Sequence, residues 1–198
     1  MKGMLVIISG PSGSGKGTVV KNLDYALSIS VTTRKKRGTE QHGVDYFFCT
    51  EEEFVQMREN NELLEHAVYV GQYYGTPRRY VEDQIDKGDV VILEIEVNGA
   101  LQVKEKFPEA VLIFLIPPTI NELARRLAFR NTEDPLEIED RMNRALEEIE
   151  LIDQYDYLVV NDELSVTISE IDAIIHAEYL KPHRSKTRIE QFTLGNVN

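Results

Sequence analysis

The chain has 198 residues, 42% of them hydrophobic and 28% charged, with a net charge of −12. That is enough apolar material for one core with smaller appended lobes. The acid excess excludes a general nucleic-acid binder, which needs a basic face to replace phosphate counterions. No apolar run approaches the roughly 18 residues of a membrane span, and the first residues lack the pattern of a secretory signal. The single cysteine, Cys49, excludes an intrachain disulfide. The expectation is a cytoplasmic protein with no membrane partner.

In chain order, Met4–Ser9 (MLVIIS) is a short apolar run that ends at Gly10-Pro11 and reads as a buried strand. Lys16 to Asp24 reads as a helix. Residues 28 to 50 alternate β-type residues with turn signals, and Phe47-Phe48 marks a strand end. Thr50 followed by three glutamates is a capped helix start, and that helix runs to about Asn60. Ala67 to Tyr74 is the next predicted strand, and Thr76-Pro77 caps a helix that ends near Gly88. Asp89–Glu96 and Ala110–Ile116 are further apolar strands around a helix at 98 to 106. Thr119 caps a helix through Phe129, a polar stretch from Arg130 to Pro135 interrupts it, and a charged helix runs from about 136 to 153. Tyr157–Val160 is the last strand and Leu164 to Leu180 the last long helix. Residues 181 to 198 lack apolar periodicity and read as a loose, partly helical tail.

Apolar strands alternating with helices imply an α/β protein whose parallel sheet is covered on both faces. Residues 28 to 80 are more polar and aromatic and read as a lobe inserted between the first and second core strands.

Gly10-Pro11-Ser12-Gly13-Ser14-Gly15-Lys16 fits G-x-x-x-x-G-K between a strand and a helix, the context of a P-loop. Glycines let backbone N–H groups curl around a phosphate, while Lys16 reaches the β- and γ-phosphates of a nucleoside triphosphate. Gly17 stands where the pattern asks for a hydroxyl, so Thr18 or water is expected to serve the Mg²⁺. Glu94 and Glu96 lie near the carboxyl end of the second core strand, where ligands of such sheets bind. Their spacing of two puts them on one face of a strand, and both are candidates to hold a magnesium water.

A phosphoryl acceptor needs its own phosphate site, for which guanidinium forks and hydroxyls are suited. The cluster Arg34, Lys35, Lys36, Arg37 offers one, although such a run alone reads equally as a solvated loop. The strings GPSGSGKGT, SVTTR, GVDYFF, LLEHA, YYGTP, LEIEVNGA and VND, taken together and in this order, resemble the guanylate kinase family over residues 3 to 180. That resemblance implies a P-loop NTPase-type sheet (core 1–27, 82–125 and 145–180), an inserted mixed α+β nucleoside-monophosphate lobe at 28–81, a helical lid at 126–144 and a tail at 181–198. It implies reversible transfer of the γ-phosphoryl group of Mg-ATP to GMP, and to dGMP, giving ADP and GDP for guanine nucleotide synthesis and salvage. A homodimer is compatible with it.

The resemblance also implies roles. Arg34, Arg37, Tyr46 and Tyr74 match residues that hold the GMP phosphate, and Ser30, Glu65 and Thr76 match residues that read the guanine, with Glu94 beside them. The chemistry agrees for Glu65: one carboxylate accepts both guanine N1–H and the 2-amino group, a pair that adenine cannot supply. Without the family, Tyr46 and Tyr74 read as lobe packing and Glu65 as a surface acid. Arg126 and Arg130, four apart on one helix face, and Arg141 resemble lid arginines that neutralise charge on the phosphoryl group in flight. On their own they read as solvated helix arginines. Asn161 matches a segment near the ATP adenine.

The sequence departs from the family in the short connection Tyr25–Ile29, in Asn98 for a common glutamine, and in Asn131 for a lid glycine, with Pro135 close behind. Two rivals remain at this level. One is a guanylate-kinase-like protein-binding module, against which the intact P-loop argues. The other is a kinase for AMP or a pyrimidine monophosphate, against which Glu65 with Ser30 and Thr76 argues.

Overall fold

The computed structural model describes residues 3–69, 71–128 and 135–194. Its core is a five-stranded, all-parallel sheet that starts with β1 (Met4–Ser9). After the loop that follows β1 come α1 (Lys16–Val20), β2 (Ala26–Leu27), β3 (Val31–Thr32), β4 (Phe47–Phe48) and α2 (Glu51–Glu59). Then follow β5 (Leu63–Tyr69), β6 (Gln72–Pro77), α3 (Arg78–Lys87), β7 (Val90–Glu94) and α4 (Val97–Lys106). The chain continues through β8 (Val111–Ile116), α5 (Ile120–Ala128), α6 (Pro135–Ile149), β9 (Tyr157–Val160), α7 (Leu164–Tyr179) and α8 (Lys186–Leu194). The core sheet has the order β2-β7-β1-β8-β9.

All six residues of β1 are buried, because the sheet is covered on both faces. Successive side chains of a strand point to opposite faces. Met4, Val6 and Ile8 therefore enter a cluster with Val19, Ile171 and Ile175, while Leu5 and Ile7 enter another with Val81, Ala100 and Val103. Each such fully buried aliphatic side chain contributes about 1.5–3 kcal/mol. The result fixes the carboxyl ends of β7, β1, β8 and β9 in a row, and the polar loops follow from those ends.

The inserted segment builds a second sheet of order β4-β3-β6-β5, in which only the β3–β4 pair is parallel. Val31, Phe54 and Leu63 form its small core. At the α2 start, Thr50 and Glu53 form a reciprocal capping box.

Several elements differ from expectation. The first helix stops at Val20 rather than Asp24, and the short connection after it carries β2. The single strand expected at Ala67 to Tyr74 is a β5–β6 hairpin, with Gly71 at φ 70° near its tip. Thr76 does not cap α3. It lies in β6, its hydroxyl is engaged with Glu65, and Pro77 occupies the cap position without a side-chain bond. The long helix ends at Ile149, with a 3-10 turn at Ile152–Gln154. The tail carries a 3-10 turn at Pro182–Arg184 and then α8. Among the described residues no helix is long and apolar enough to cross a membrane.

Candidate active site

The loop between β1 and α1 owes its shape to glycine at two points. Gly10 has φ 137°, and a Cβ there would sit 2.2 Å from the Leu115 carbonyl oxygen. Gly15 has φ 91°, and a Cβ there would sit 2.4 Å from Asn161 Nδ2. No other residue adopts these angles without strain, and none would leave room for the neighbouring strand ends. Pro11 and Ser14 are buried, Ser12 and Gly13 partly so, and the Ser14 amide donates to the Pro11 carbonyl at 3.1 Å. Lys16 folds over the loop and donates to the carbonyls of Gly10 (2.5 Å) and Pro11 (3.1 Å). Thr18 is exposed on α1.

Three side chains brace this loop from behind β9 and from the helical segment. Asn161 donates through Nδ2 to the Ser14 carbonyl at 2.8 Å, and its Oδ1 accepts from Thr167 at 3.3 Å. Both ends of that amide are thus engaged beneath the loop. The sequence expectation places Asn161 near the ATP adenine; in the structure its side chain buttresses the loop. Arg126 reaches the Ser14 carbonyl (3.4 Å) and the Asn161 carbonyl (3.0 Å), held on its other side by Glu122 at 2.7 Å. Arg141, on α6, donates to the Ser12 hydroxyl. Two of the three expected lid arginines therefore converge on the loop. Arg130 and Asn131 lie outside the described residues.

Across the cleft, Arg34 is buried and forked onto Glu40, with NH2 to Oε1 at 2.8 Å and NH1 to Oε2 at 3.0 Å. The Arg37 backbone amide donates to the same carboxylate at 2.8 Å, while the Arg37 side chain is exposed. The guanidinium beside it holds the Glu40 carboxyl below its ordinary range. Arg34 also lies over the Tyr46 ring (5.1 Å) and near the Phe48 ring (5.8 Å), and Tyr74 meets Tyr46 edge-on at 6.1 Å. A planar cation held by a carboxylate and flanked by ring faces is oriented before any ligand arrives. Burial, followed by the Glu94 carboxylate, raises the Tyr46 hydroxyl pKa.

Glu65 is 3% exposed and accepts a 2.7 Å bond from the Thr76 hydroxyl. Burial pushes its carboxyl up to about 7, against the opposing pull of that bond. Ser30 is half-buried just before β3, and its carbonyl accepts from the Phe47 amide.

Glu94 ends β7 between the two halves: its Oε1 is 3.4 Å from where a Cβ on Gly17 would stand, and its charge acts on Tyr46. Glu96 is different. The strand has ended, so the two acids do not share a strand face. Both Glu96 carboxylate oxygens cap α4, accepting from Gly99 N at 2.5 Å and Asn98 N at 3.0 Å. The sequence expectation gives Glu96 a magnesium-side role; in the structure its carboxylate is engaged by the first turn of α4. No cluster of three or more His, Cys, Asp or Glu side chains among the described residues has metal-holding geometry. The donor set near the loop, Glu94 and Thr18, suits an oxygen-seeking cation that keeps most of its water and takes its other ligands from phosphates.

One residue escaped the sequence. Glu148 is half-buried on α6, where burial raises its carboxyl pKa and the Lys16 charge opposes that rise. The signal was available in its spacing: Glu148 lies two turns after Arg141, on the helix face that meets the loop.

A sequence model of the guanylate kinase family matches residues 2–178. The chain is 52% identical over 188 residues to a guanylate kinase of Oceanobacillus iheyensis, covering 92% of this chain and 91% of that protein. Its fold superposes on the crystal structure of a guanylate kinase from Anaplasma phagocytophilum with a TM-score of 0.77 at 36% identity, over 92% and 89% of the two chains. The structure of TT1252 from Thermus thermophilus, 14% identical with a TM-score of 0.53 over 90% of this chain and 98% of that one, shares the fold alone.

Proposed function

The chain belongs to the guanylate kinase family and has that family's activity, phosphoryl transfer to GMP, and from this premise we propose how its own residues divide the work. The loop at 10–18 takes the triphosphate of ATP, with backbone amides and Lys16 on the phosphates. The lobe takes GMP: Arg34, Arg37, Tyr46 and Tyr74 hold its phosphate, while Ser30, Glu65 and Thr76 read its base. The observation that carries this division is the position of Glu94, next to Gly17 of the loop and acting on Tyr46 of the lobe. That position supports a reading with one phosphate site on either side of one strand end.

In the reaction an oxygen of the GMP phosphate attacks the γ-phosphorus of ATP. The bond from that phosphorus to the β–γ bridging oxygen breaks, ADP leaves with the oxygen, and GDP forms. The attacking group is already an anion, so no strong general base is needed. What the protein supplies is positioning and positive charge. Lys16 moves from the loop carbonyls onto the phosphates when they arrive. Arg126 and Arg141 contact Ser14 and Ser12 of the loop, and from there they would neutralise charge on the γ-phosphoryl oxygens. Glu94 and Thr18, with water, would hold magnesium, which would supply charge neutralisation on the phosphates. Closure of lobe and lid expels water, which would otherwise compete as acceptor.

The test is Lys16→Ala. It removes phosphate charge stabilisation but no core packing, so turnover falls by about 10²–10³-fold or more with the fold intact. Near-normal kcat would refute this placement of the triphosphate.

A further inference from the structure

The β5–β6 ladder slips by one residue just where Glu65 stands. Leu63 pairs with Pro77, but His66 pairs with Gly75, so Leu64 and Glu65 together oppose Thr76. A bulge of this kind re-aims side chains and leaves backbone groups outside the ladder. Here Leu63 points into the lobe core, Leu64 into the main core, and Glu65 is buried against Thr76.

The displaced backbone is held by one helix. Lys106 Nζ donates to the Leu64 carbonyl at 2.7 Å. Gln102 grips the next residue but one at both ends, with Nε2 donating to the His66 carbonyl (3.1 Å) and Oε1 accepting from the His66 amide (3.4 Å). Gly99, on the same face of α4, lies against the carboxylate itself: a Cβ there would fall 2.8 Å from Glu65 Oε2. Positions i, i+3 and i+7 form one helical stripe. That stripe touches the residue before Glu65, its carboxylate and the residue after it. The same helix is capped by Glu96, two residues beyond Glu94.

We propose that the Gly99–Gln102–Lys106 face of α4 sets the position of Glu65, making Gln102 and Lys106 positioning residues for base selectivity. Neither touches the nucleotide. They fix where the buried carboxylate points by satisfying the backbone groups on either side of the bulge. A carboxylate free to shift by a fraction of an ångström loses simultaneous contact with two neighbouring N–H donors, while the phosphate sites are untouched. The idea rests on Glu65 reading guanine, and the experiment separates the two claims.

The experiment measures steady-state kinetics with GMP and IMP for Gln102→Leu, Lys106→Met, Lys106→Arg and Glu65→Gln. IMP keeps N1–H and lacks the 2-amino group. Gln102→Leu and Lys106→Met are expected to raise the GMP KM about tenfold and to narrow the GMP-over-IMP preference, with kcat and the ATP KM within about twofold of wild type. Lys106→Arg, which keeps a donor, restores both. A merely structural role would lower the melting temperature without moving base preference. If Gln102→Leu does not fold, the Lys106 pair decides. Unchanged GMP KM and preference in the α4 variants, with preference lost in Glu65→Gln, would overturn the inference alone. Preference retained in Glu65→Gln would overturn the guanine reading beneath it.

Discussion

Arg34 and Glu40 form a two-pronged ion pair, with both guanidinium amino groups on one carboxylate at 2.8 and 3.0 Å. NH1 also donates to the Lys35 carbonyl and Tyr74 adds a further side-chain hydrogen bond, so the guanidinium plane is fixed before a phosphate arrives. Glu40→Gln keeps the shape and removes the charge. The GMP KM is expected to rise about five- to tenfold with the ATP KM unchanged. A fall in the GMP KM would mean that Glu40 competes with the phosphate rather than orienting Arg34.

The Glu65 carboxyl, raised by burial to about 7, predicts a pH dependence. Two guanine N–H donors require the ionised form, so binding releases a proton when the pH lies below that value. The GMP KM is expected to fall as pH rises from 6 to 8, inflecting near 7, and Glu65→Gln should flatten the profile. Stability follows the opposite sign. A folded-state pKa above the ordinary value near 4.5 contributes stability that is full below 4.5 and lost as pH rises through 7. Melting temperatures with and without GMP across this range check both signs.

Asn161 supports the phosphate loop from beneath, through the Ser14 carbonyl. Asn161→Leu removes the shorter of the two bonds to that carbonyl, leaving Arg126 at 3.4 Å, and adds bulk beside Gly15. The ATP KM is expected to rise about tenfold, with the calorimetric affinity for GMP unchanged. An equal loss at both sites would show that the change is global.

At the opposite end of β9, Tyr157 donates to Glu178 at 2.6 Å, and Lys181 pairs with the same carboxylate at 2.6 Å. Glu178 is only 2% exposed. Glu178→Ala strands these partners and is expected to cost about 2–3 kcal/mol in chemical denaturation. Because this cluster lies a strand's length from the phosphate loop, kcat at saturating substrates should stay at the wild-type value.

Much of the fold was legible because burial on both faces of a parallel strand leaves a local imprint. Met4–Ser9, Ala110–Ile116 and Tyr157–Val160 are apolar runs bounded by turn residues, and the structure places strands there. The hairpin at 63–77 was less legible: its alternation continues through Gly71, and the bulge at Leu64–Glu65 breaks the period that would have marked the first strand. Thr76-Pro77 has the local chemistry of a helix cap, but a buried carboxylate from the neighbouring strand engages the threonine instead. The contacts of Glu96 and Asn161 were not legible for a related reason. Residue type marks them as polar groups near the ligand end of the sheet, whereas their partners, the first turn of α4 and the Ser14 carbonyl, are set by tertiary packing. The Lys16 charge acts on Glu148 because α6 packs on α5 through Ile138, Met142 and Ala145.

The most direct test of this division of the site is the initial rate of ADP formation from ATP with GMP, dGMP, IMP, AMP, CMP and UMP, compared between wild type and Glu65→Gln. GMP should lead, with dGMP next and AMP, CMP and UMP lower by about 10³-fold or more in kcat/KM, and Glu65→Gln should lose most of the lead over IMP and AMP. Comparable rates for GMP and AMP in the wild type, or an undiminished GMP preference in Glu65→Gln, would contradict it.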